Sequence, residues 1–298
     1  MNARSASEST AVATTANGLV RQAAQPTLRA EAIDLSYDRE IVVHELSVEI
    51  LQGKITTIVG ANASGKSTLL RALARLLAPV NGQVYLGDRE IQRQRSRDVA
   101  RQLTLLPQSP IAPDGITVSD LVGRGRYPYQ SLLRPWSSED TRAVAAAMQA
   151  TGVTELAERP VNQLSGGQRQ RVWVAMALGQ ETPVLLLDEP TTFLDLSHQI
   201  EVLDLLKELN RDTGQTVVLV LHDLNLASRY SDHLIAMADG RIAAEGSPHE
   251  VITESIVREV FGLEATIVSD PVSGTPLLIP IGRTHQPPAP AGETTDSR

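Results

Sequence analysis

The sequence contains no cysteine among its 298 residues, and it has no apolar run near the roughly 20 residues that a membrane-spanning helix needs. The missing thiols exclude disulfides and thiolate-bound metals, and they are compatible with a reducing cytosol. Basic charge is also scarce, because the net charge is -8, whereas proteins that bind nucleic acid usually present a basic surface. We therefore expect no nucleic-acid partner and no membrane span in this chain.

The two ends of the sequence differ in composition from its middle. Residues 1–27 are rich in small and hydroxyl side chains but lack a continuous apolar stretch, so they make a poor signal peptide. Residues 284–298 are polar and proline-rich. We expect both to be disordered tails that flank one domain at residues 28–283, where a hydrophobic content of 42% can supply a core.

Residues 60–68, GANASGKST, fit the G-x-x-x-x-G-K-[ST] pattern of a phosphate-binding loop. A β-branched run at 54–60 leads into this loop, and a leucine-rich helical pattern at 66–77 leads out of it. In that setting backbone N–H groups and the helix N-terminus converge on nucleotide phosphates. The predicted nucleotide-binding residues are Gly60, Ala61, Asn62, Ala63, Ser64, Gly65, Lys66, Ser67 and Thr68.

Two of these residues have more specific predicted roles. Lys66 should reach the terminal phosphates, and the Ser67 hydroxyl should bind Mg²⁺. Many such loops carry glycine where this sequence has Ala63, so a positive φ at that position would strain the alanine.

Two further apolar runs, PVLLLDEP at 183–190 and TVVLVLHD at 216–223, read as buried strands. They alternate with helical patterns such as residues 198–214, which predicts a parallel sheet covered by helices on both faces. Ligands of such sheets bind at the carboxyl ends of the strands. We therefore expect Gly60, Asp188, Glu189 and His222 to lie along one edge.

The residue types at this edge suit nucleotide hydrolysis. Asp188 can hold Mg²⁺, and Glu189 can orient and polarise a water toward the γ-phosphate. A solvated turn would be the alternative for two adjacent acids, but four apolar residues precede this pair and favour a functional site. A lone histidine after a strand is more often structural, so only its place at this edge suggests that His222 contacts the γ-phosphate.

Between these strands lies LSGGQ, residues 164–168, which resembles the signature of ATP-binding-cassette (ABC) ATPases. Other stretches resemble further motifs of this family, and they occur along the chain in the family's order. Tyr37 resembles the aromatic residue that stacks on adenine, and Gln108 resembles the Q-loop. Residues 185–190 resemble the Walker B motif, Asp195 ends a D-loop, and His222 resembles the switch histidine.

This resemblance covers nearly the whole chain outside the tails. It implies an α/β fold: a P-loop NTPase core with a parallel sheet, an N-terminal antiparallel β-subdomain, and an α-helical subdomain inserted at about 110–180. It also implies an ATPase that uses ATP and Mg²⁺. The implied catalytic residues are Glu189, His222, Lys66 and Gln108, and the implied metal-binding residues are Ser67, Gln108 and Asp188.

The signature adds a second phosphate-binding surface, formed by Ser165, Gly166, Gly167 and Gln168 at the start of a helix. A single ATP cannot use both surfaces of one chain if they lie in separate subdomains. The family resolves this by head-to-tail dimerisation, with each ATP between the Lys66 loop of one subunit and the Ser165 loop of the other. Hydrolysis would then drive closing and opening of a homodimer.

Residues 109–163 carry the pattern of the helical subdomain. Ser137 and Asp140 form a box-like N-cap before an alanine-rich helix. Transporters of the family meet their membrane subunits through this subdomain. The stretches at 123–133 (GRGRYPYQSLL), 191–206 and 268–280 resemble those of importers of iron chelates, haem and cobalamin. A solvated basic loop is the alternative for the first stretch.

The resemblance as a whole implies the ATP-hydrolysing subunit of a membrane importer for ferric siderophores or related iron chelates. Such a subunit would be peripheral to the cytoplasmic face of the inner membrane. It would bind integral-membrane permease subunits and depend indirectly on an extracytoplasmic substrate-binding protein. A zinc or manganese importer and an efflux system remain alternatives.

Other classes that share the phosphate loop fit less well. Adenylate kinases lack LSGGQ, and a GTPase would need an N-K-x-D motif, which is absent. Chromosome-handling relatives insert a long coiled coil, but residues 68–163 have no sustained heptads. A binding module without activity would be expected to have lost Glu189 or Lys66.

Overall fold

The computed structural model describes residues 26–38, 40–131 and 135–283. The predicted C-terminal tail, 284–298, lies outside the described residues. So does the predicted N-terminal tail, except that its last two residues begin the first strand.

The structure contains the following strands: β1 Pro26–Tyr37, β2 Glu40–Leu51, β3 Ile55–Gly60, β4 Asn81–Leu86, β5 Arg89–Glu90, β6 Leu103–Leu106, β7 Val184–Asp188, β8 Thr216–Val220, β9 His233–Ala238, β10 Arg241–Gly246, β11 Leu263–Ser269 and β12 Pro276–Arg283. Its α-helices are α1 Lys66–Leu73, α2 Ser96–Ala100, α3 Val118–Gly123, α4 Ser138–Ala150, α5 Gly166–Gly179, α6 Leu196–Thr213, α7 Leu224–Tyr230, α8 Pro248–Val251 and α9 Glu254–Phe261. A short 3-10 helix, Arg124–Tyr129, follows α3 directly.

A six-stranded sheet with the order β10-β9-β3-β8-β7-β6 forms the centre of the molecule. Strands β9, β3, β8, β7 and β6 are parallel, and β10 pairs antiparallel with β9. The sheet has a hydrophobic core on each face, and successive side chains of β7 point to different faces. Leu185 and Leu187 pack into one core, and Leu186 packs into the other. Because both faces are covered, β3, β7 and β8 are buried along their whole length rather than alternately, and the predicted parallel sheet is confirmed.

The two faces are covered by different layers. An antiparallel sheet with the order β2-β1-β4-β5 shares one core with α1 and the central strands, which confirms the predicted N-terminal antiparallel region. Helices α3, α4 and α5 lie between β6 and β7 in the chain and contribute to the other core. The Ser137 and Asp140 side chains form the predicted capping box at the start of α4.

One predicted boundary is wrong. The leucine pattern at 66–77 predicts a helix to Leu77, but α1 ends at Leu73. The chain closes a Schellman motif there: the Leu76 N–H donates to the Arg71 carbonyl and the Arg75 N–H to the Ala72 carbonyl. Arg75 takes the left-handed position, with a φ of 63°, where glycine is usual. The sequence therefore carries no glycine to mark this end.

Within the described residues, no helix combines the length and apolar character that a bilayer crossing requires.

Candidate nucleotide site

The phosphate loop joins the carboxyl end of β3 to the start of α1, as its motif predicts. Gly60 has a steric reason to be glycine, because a Cβ atom there would lie 2.3 Å from the Met237 carbonyl oxygen of the neighbouring strand. Ala63 adopts a φ of 63°. The strain expected for an alanine in this loop is therefore present.

Lys66 is buried at the floor of the loop. Its Nζ donates hydrogen bonds to the carbonyls of Gly60 at 3.1 Å and Ala61 at 2.8 Å. Burial lowers the pKa of Lys66, while the nearby Glu189 and Asp188 carboxylates act in the opposite direction. The loop thus holds a partly desolvated positive charge, which suits it to meet an anion.

A pocket of about 660 Å³ opens above the loop. It combines loop residues with four residues from other parts of the chain, and its lining is Val42, Asn62, Ala63, Ser64, Gly65, Lys66, Ser67, Thr68, Gln108, Glu189 and His222. The convergence expected from the parallel sheet is therefore observed, since β3, β8 and β7 are adjacent. Gly60, Ala61, Asp188, Tyr37 and the signature residues do not line this pocket.

Ser67 and Asp188 form the deep side of the site. The Ser67 hydroxyl donates to a carboxylate oxygen of Asp188 at 2.9 Å. Burial raises the pKa of Asp188, and the hydrogen bond from Ser67 opposes this effect. A buried carboxylate beside a hydroxyl is a pair of hard oxygen ligands of the kind that Mg²⁺ prefers.

Glu189 is the most connected side chain of the pocket. Its Oε1 accepts a hydrogen bond from His222 Nε2 at 2.6 Å, and its Oε2 accepts one from the Thr192 hydroxyl at 3.1 Å. Burial would raise the pKa of Glu189, but hydrogen bonds from Gln108 and His222 outweigh it, so the pKa lies below its ordinary value. The carboxylate is therefore held ionised.

The signature residues begin a different element. Ser165 is the N-cap of α5, where its hydroxyl accepts from the Gln168 N–H at 3.2 Å while the Gln168 side chain accepts from the Ser165 N–H at 3.1 Å. This capping box leaves the N–H groups of Gly166 and Gly167 in the first turn without helical partners. The expected helix start is confirmed, and anion binding there stays a prediction.

Tyr37 ends β1, and 39% of its surface is exposed. Its hydroxyl accepts a hydrogen bond from Arg71 on α1 at 3.2 Å. Sequence reasoning missed Arg71 and Thr192. Helical spacing could have indicated the first, because Arg71 lies one turn after Ser67, and Thr192 follows Glu189 by three residues.

Comparisons with known proteins show which family the chain belongs to. The family model described as ABC transporter matches residues 43–192. The chain is 54% identical over 259 residues to the petrobactin import ATP-binding protein FpuD of Bacillus anthracis, and the aligned region covers 87% of this chain and 95% of FpuD. It is 53% identical over 257 residues to the ferric enterobactin transport ATP-binding protein FepC of Escherichia coli K12, which covers 86% of this chain and 95% of FepC.

Solved structures show the same architecture. The dimeric structure of MJ0796, a bacterial ABC transporter cassette, superposes with a TM-score of 0.67 at 28% identity, covering 74% of this chain and 98% of the cassette. The family model spans half of the sequence, and the two relatives extend the match over most of it. The chain belongs to the ABC transporter family and is one of its ATP-binding, ATP-hydrolysing proteins.

Proposed function

We propose that the chain is the ATPase subunit of an importer for ferric siderophores or related iron chelates. The observation that carries the ATPase part is the meeting of Lys66, Gln108, Glu189 and His222 in one pocket, from separate segments of the chain. The cargo rests on relatives, since FepC is named for ferric enterobactin transport and FpuD for petrobactin import.

The pocket supports a hydrolytic role for each of its polar residues. The loop N–H groups and Lys66 bind the β- and γ-phosphates. Glu189 acts as general base: the water oxygen bonds to the γ-phosphorus, the bond from that phosphorus to the bridging oxygen of ADP breaks, and Glu189 takes the water proton. The ionised carboxylate can accept this proton, and its lowered pKa makes it a weaker base than an ordinary glutamate. His222 holds Glu189 in place and contacts the γ-phosphate.

The oxygen ligands at the deep side fit Mg²⁺. Ser67 and Asp188 would hold the ion, with Gln108 beside them, and the phosphates of ATP complete such sites. Within the described residues no group of three or more His, Cys, Asp or Glu side chains could hold a metal, which agrees with an ion bound jointly with nucleotide. When bound, Mg²⁺ neutralises charge on the phosphates.

The second phosphate surface supports a head-to-tail dimer. Ser165, Gly166, Gly167 and Gln168 lie outside the lining of the nucleotide pocket, so in this proposal they meet the ATP of a second copy. Tyr37 stacks on adenine at the open side. The dimeric state of the MJ0796 cassette supports this arrangement.

The remaining parts of the proposal concern the assembly. The chain is one domain at about 28–283, with the helices between β6 and β7 forming a subdomain at about 110–180 that binds integral-membrane permease subunits. It lies on the cytoplasmic face of the membrane as a peripheral subunit, and an extracytoplasmic binding protein delivers the chelate. Import-protein relatives favour this direction of transport over efflux.

Two single substitutions test the ATPase site. Lys66→Ala should abolish ATP binding, because it removes the charge that meets the terminal phosphates. Glu189→Gln keeps the size of the side chain but cannot take a proton, so ATP should still bind while turnover falls by about a hundredfold or more. Nucleotide binding by calorimetry and phosphate release by the purified protein distinguish the two. Hydrolysis at the parental rate in either variant contradicts the assignment.

A growth experiment tests the cargo. Cells that lack this chain should grow normally with ample iron and poorly when a ferric siderophore is the only iron source. Reintroduction of the parental chain, but not of the Glu189→Gln chain, should restore growth. If the cells instead fail only under zinc or manganese limitation, the chain serves a zinc or manganese importer.

A further inference from the structure

Arg71 lies beside the nucleotide pocket but belongs to none of the motifs described above. It is an exposed residue of α1, one helical turn beyond Ser67. Its Nη1 donates to the Tyr37 hydroxyl at 3.2 Å. Among the described residues this is the one hydrogen bond or ion pair of its guanidinium, so most of its five N–H donors remain available.

The charge of Arg71 also reaches the deep side of the site. Burial raises the pKa of Asp188, and the positive charge of Arg71, like that of Lys66, acts in the opposite direction. Arg71 therefore donates to the phenol that is proposed to meet adenine, and its positive charge acts on the carboxylate beside the phosphate loop.

We propose that Arg71 is a positioning residue for the nucleoside end of ATP, acting through the Tyr37 phenol. The inference rests on the proposed stacking of Tyr37 on adenine. An exposed tyrosine can occupy several rotamers, and selection of one on binding costs conformational entropy. A hydrogen bond from a charged donor fixes the phenol beforehand, so the ring face is presented to the base before it arrives.

The backbone position of Arg71 suits this task. Because α1 starts at the phosphate loop, the helix sets the position of the Arg71 backbone relative to the loop. Tyr37, at the end of a strand in the antiparallel sheet, belongs to a different layer. The hydrogen bond thus ties the base-binding layer to the phosphate-binding layer across the site.

The test compares two ligands of purified chains: MgATP and inorganic tripolyphosphate, which lacks the nucleoside. Arg71→Met and Tyr37→Phe should each weaken MgATP binding by about tenfold, the effect of losing one hydrogen bond from a charged donor. Both should change tripolyphosphate binding by less than about twofold. The double variant should bind MgATP as tightly as the single variant with the lower affinity, because both substitutions remove the same contact.

Arg142→Met is the matched control, since Arg142 is exposed on α4 and does not line the nucleotide pocket. It should leave both affinities unchanged. Arg71→Lys keeps a charged donor and should recover part of the MgATP affinity, which a loss of folding would not allow.

Three results would overturn the proposal. The first is an equal loss of tripolyphosphate and MgATP in Arg71→Met, which would make Arg71 a direct phosphate ligand. The second is a double variant whose loss of MgATP affinity equals the product of the losses in Arg71→Met and Tyr37→Phe. The third is a MgATP affinity of Arg71→Met equal to that of the control. In each case MgATP binding by the parental chain leaves the proposed ATPase function standing. If the parental chain binds neither ligand, both proposals are wrong.

Discussion

Three residues in or beside the motifs of the nucleotide site have a left-handed backbone conformation, although none is glycine. Their φ values are 63° for Ala63, 54° for Glu189 and 68° for Phe193. Such a conformation costs about 1–2 kcal/mol for an L-residue and persists only where the surrounding structure enforces it. Glu189 shows what the strain achieves here, since its turned backbone places the carboxylate against His222 and Thr192. Part of the folding free energy is therefore used to place side chains of the nucleotide pocket.

Ala63 allows this strain to be measured. Its side chain is exposed, so Ala63→Gly removes little packing and relieves the left-handed conformation. We expect the free energy of unfolding, measured in urea, to rise by about 1 kcal/mol. The control is Ala146→Gly, an exposed site inside α4, where the same substitution should lower that free energy by about 1 kcal/mol. A decrease at both sites would show that Ala63 is not strained.

Residue-level predictions from the sequence succeeded where a motif fixes both residue type and spacing. Lys66, Ser67 and Asp188 lie where the phosphate loop and the apolar strand ending in two acids place them. Arg71 was not predicted, because its helical spacing from Ser67 gives its place near the loop but not its contact with Tyr37. Its meaning depends on Tyr37, which is 34 positions away and in another layer.

At the scale of elements, the basic segment after α3 contains a buried arginine that joins two helices. Arg126 is 1% exposed, and its guanidinium donates to Asp140 at 2.9 Å, to the Gly179 carbonyl at 2.9 Å and to Glu181 at 2.8 Å. It also lies over the Tyr129 ring at 4.2 Å from the centroid. The segment therefore joins the start of α4 to the end of α5, and the alternative of a solvated basic loop is wrong for Arg126. Residues 132 and 133 of the quoted stretch lie outside the described residues.

Asp140→Asn tests this junction. Asp140 is buried, so removal of its charge leaves Arg126 without its fully buried partner, and we expect a loss of about 3 kcal/mol in the free energy of unfolding at pH 7. Burial would raise the pKa of Asp140, but hydrogen bonds from Ser137 and Arg126 together lower it.

The pH dependence of this loss has a definite sign. Because the folded pKa of Asp140 lies below the unfolded one, the stabilisation is full above the unfolded value and disappears as the pH falls through the folded value. The difference between the parental chain and Asp140→Asn should therefore shrink as the pH falls below about 4. Asp120→Asn, at an exposed acid in the first turn of α3, should have a much smaller effect at every pH. A difference that stays constant with pH would contradict the ion-pair assignment.

Sequence patterns predicted those elements that carry a local signal, such as a buried strand or a helix N-cap. Strands β3, β7 and β8 were predicted from continuous apolar runs, and the start of α4 from its capping box. Patterns could not predict the Arg126 junction, because Asp140 and Glu181 lie 14 and 55 positions away and an arginine in a basic run is usually solvated. The end of α1 was missed for a related reason, since Arg75 occupies a position where glycine would have marked it.

At the scale of the whole molecule, the proposed function uses two phosphate-binding surfaces, and the nucleotide pocket includes one of them. Ser165 caps α5, and the signature residues lie outside the pocket that Lys66 and Glu189 line. A hydrolytic site that needs both surfaces therefore needs a second copy. The sequence indicated a dimer only through its resemblance to the family, because no pattern within one chain specifies a contact between two copies.

A cross-linking experiment tests the head-to-tail arrangement directly. The chain has no cysteine, so two introduced thiols would be its only ones. Ala63 and Ser165 are both exposed, and the proposed dimer brings the phosphate loop of one copy against the signature of the other. In a Glu189→Gln background ATP should bind without turnover and the closed dimer should accumulate. We expect Ala63→Cys with Ser165→Cys to give a covalent dimer on oxidation with MgATP and little without it.

The chemistry of the cross-link makes the result specific. A disulfide forms when the two Cα atoms lie within about 7 Å, so the product reports contact between the two surfaces. Either cysteine alone should fail to give the ATP-dependent product, and addition of Lys66→Ala should abolish it, because the loop then holds no nucleotide to bridge the copies. Calorimetry must first show that the double-cysteine chain binds ATP, since both positions lie beside the proposed phosphates. If it binds ATP and no ATP-dependent dimer forms at this or neighbouring pairs, the signature of one copy does not face the phosphate loop of the other.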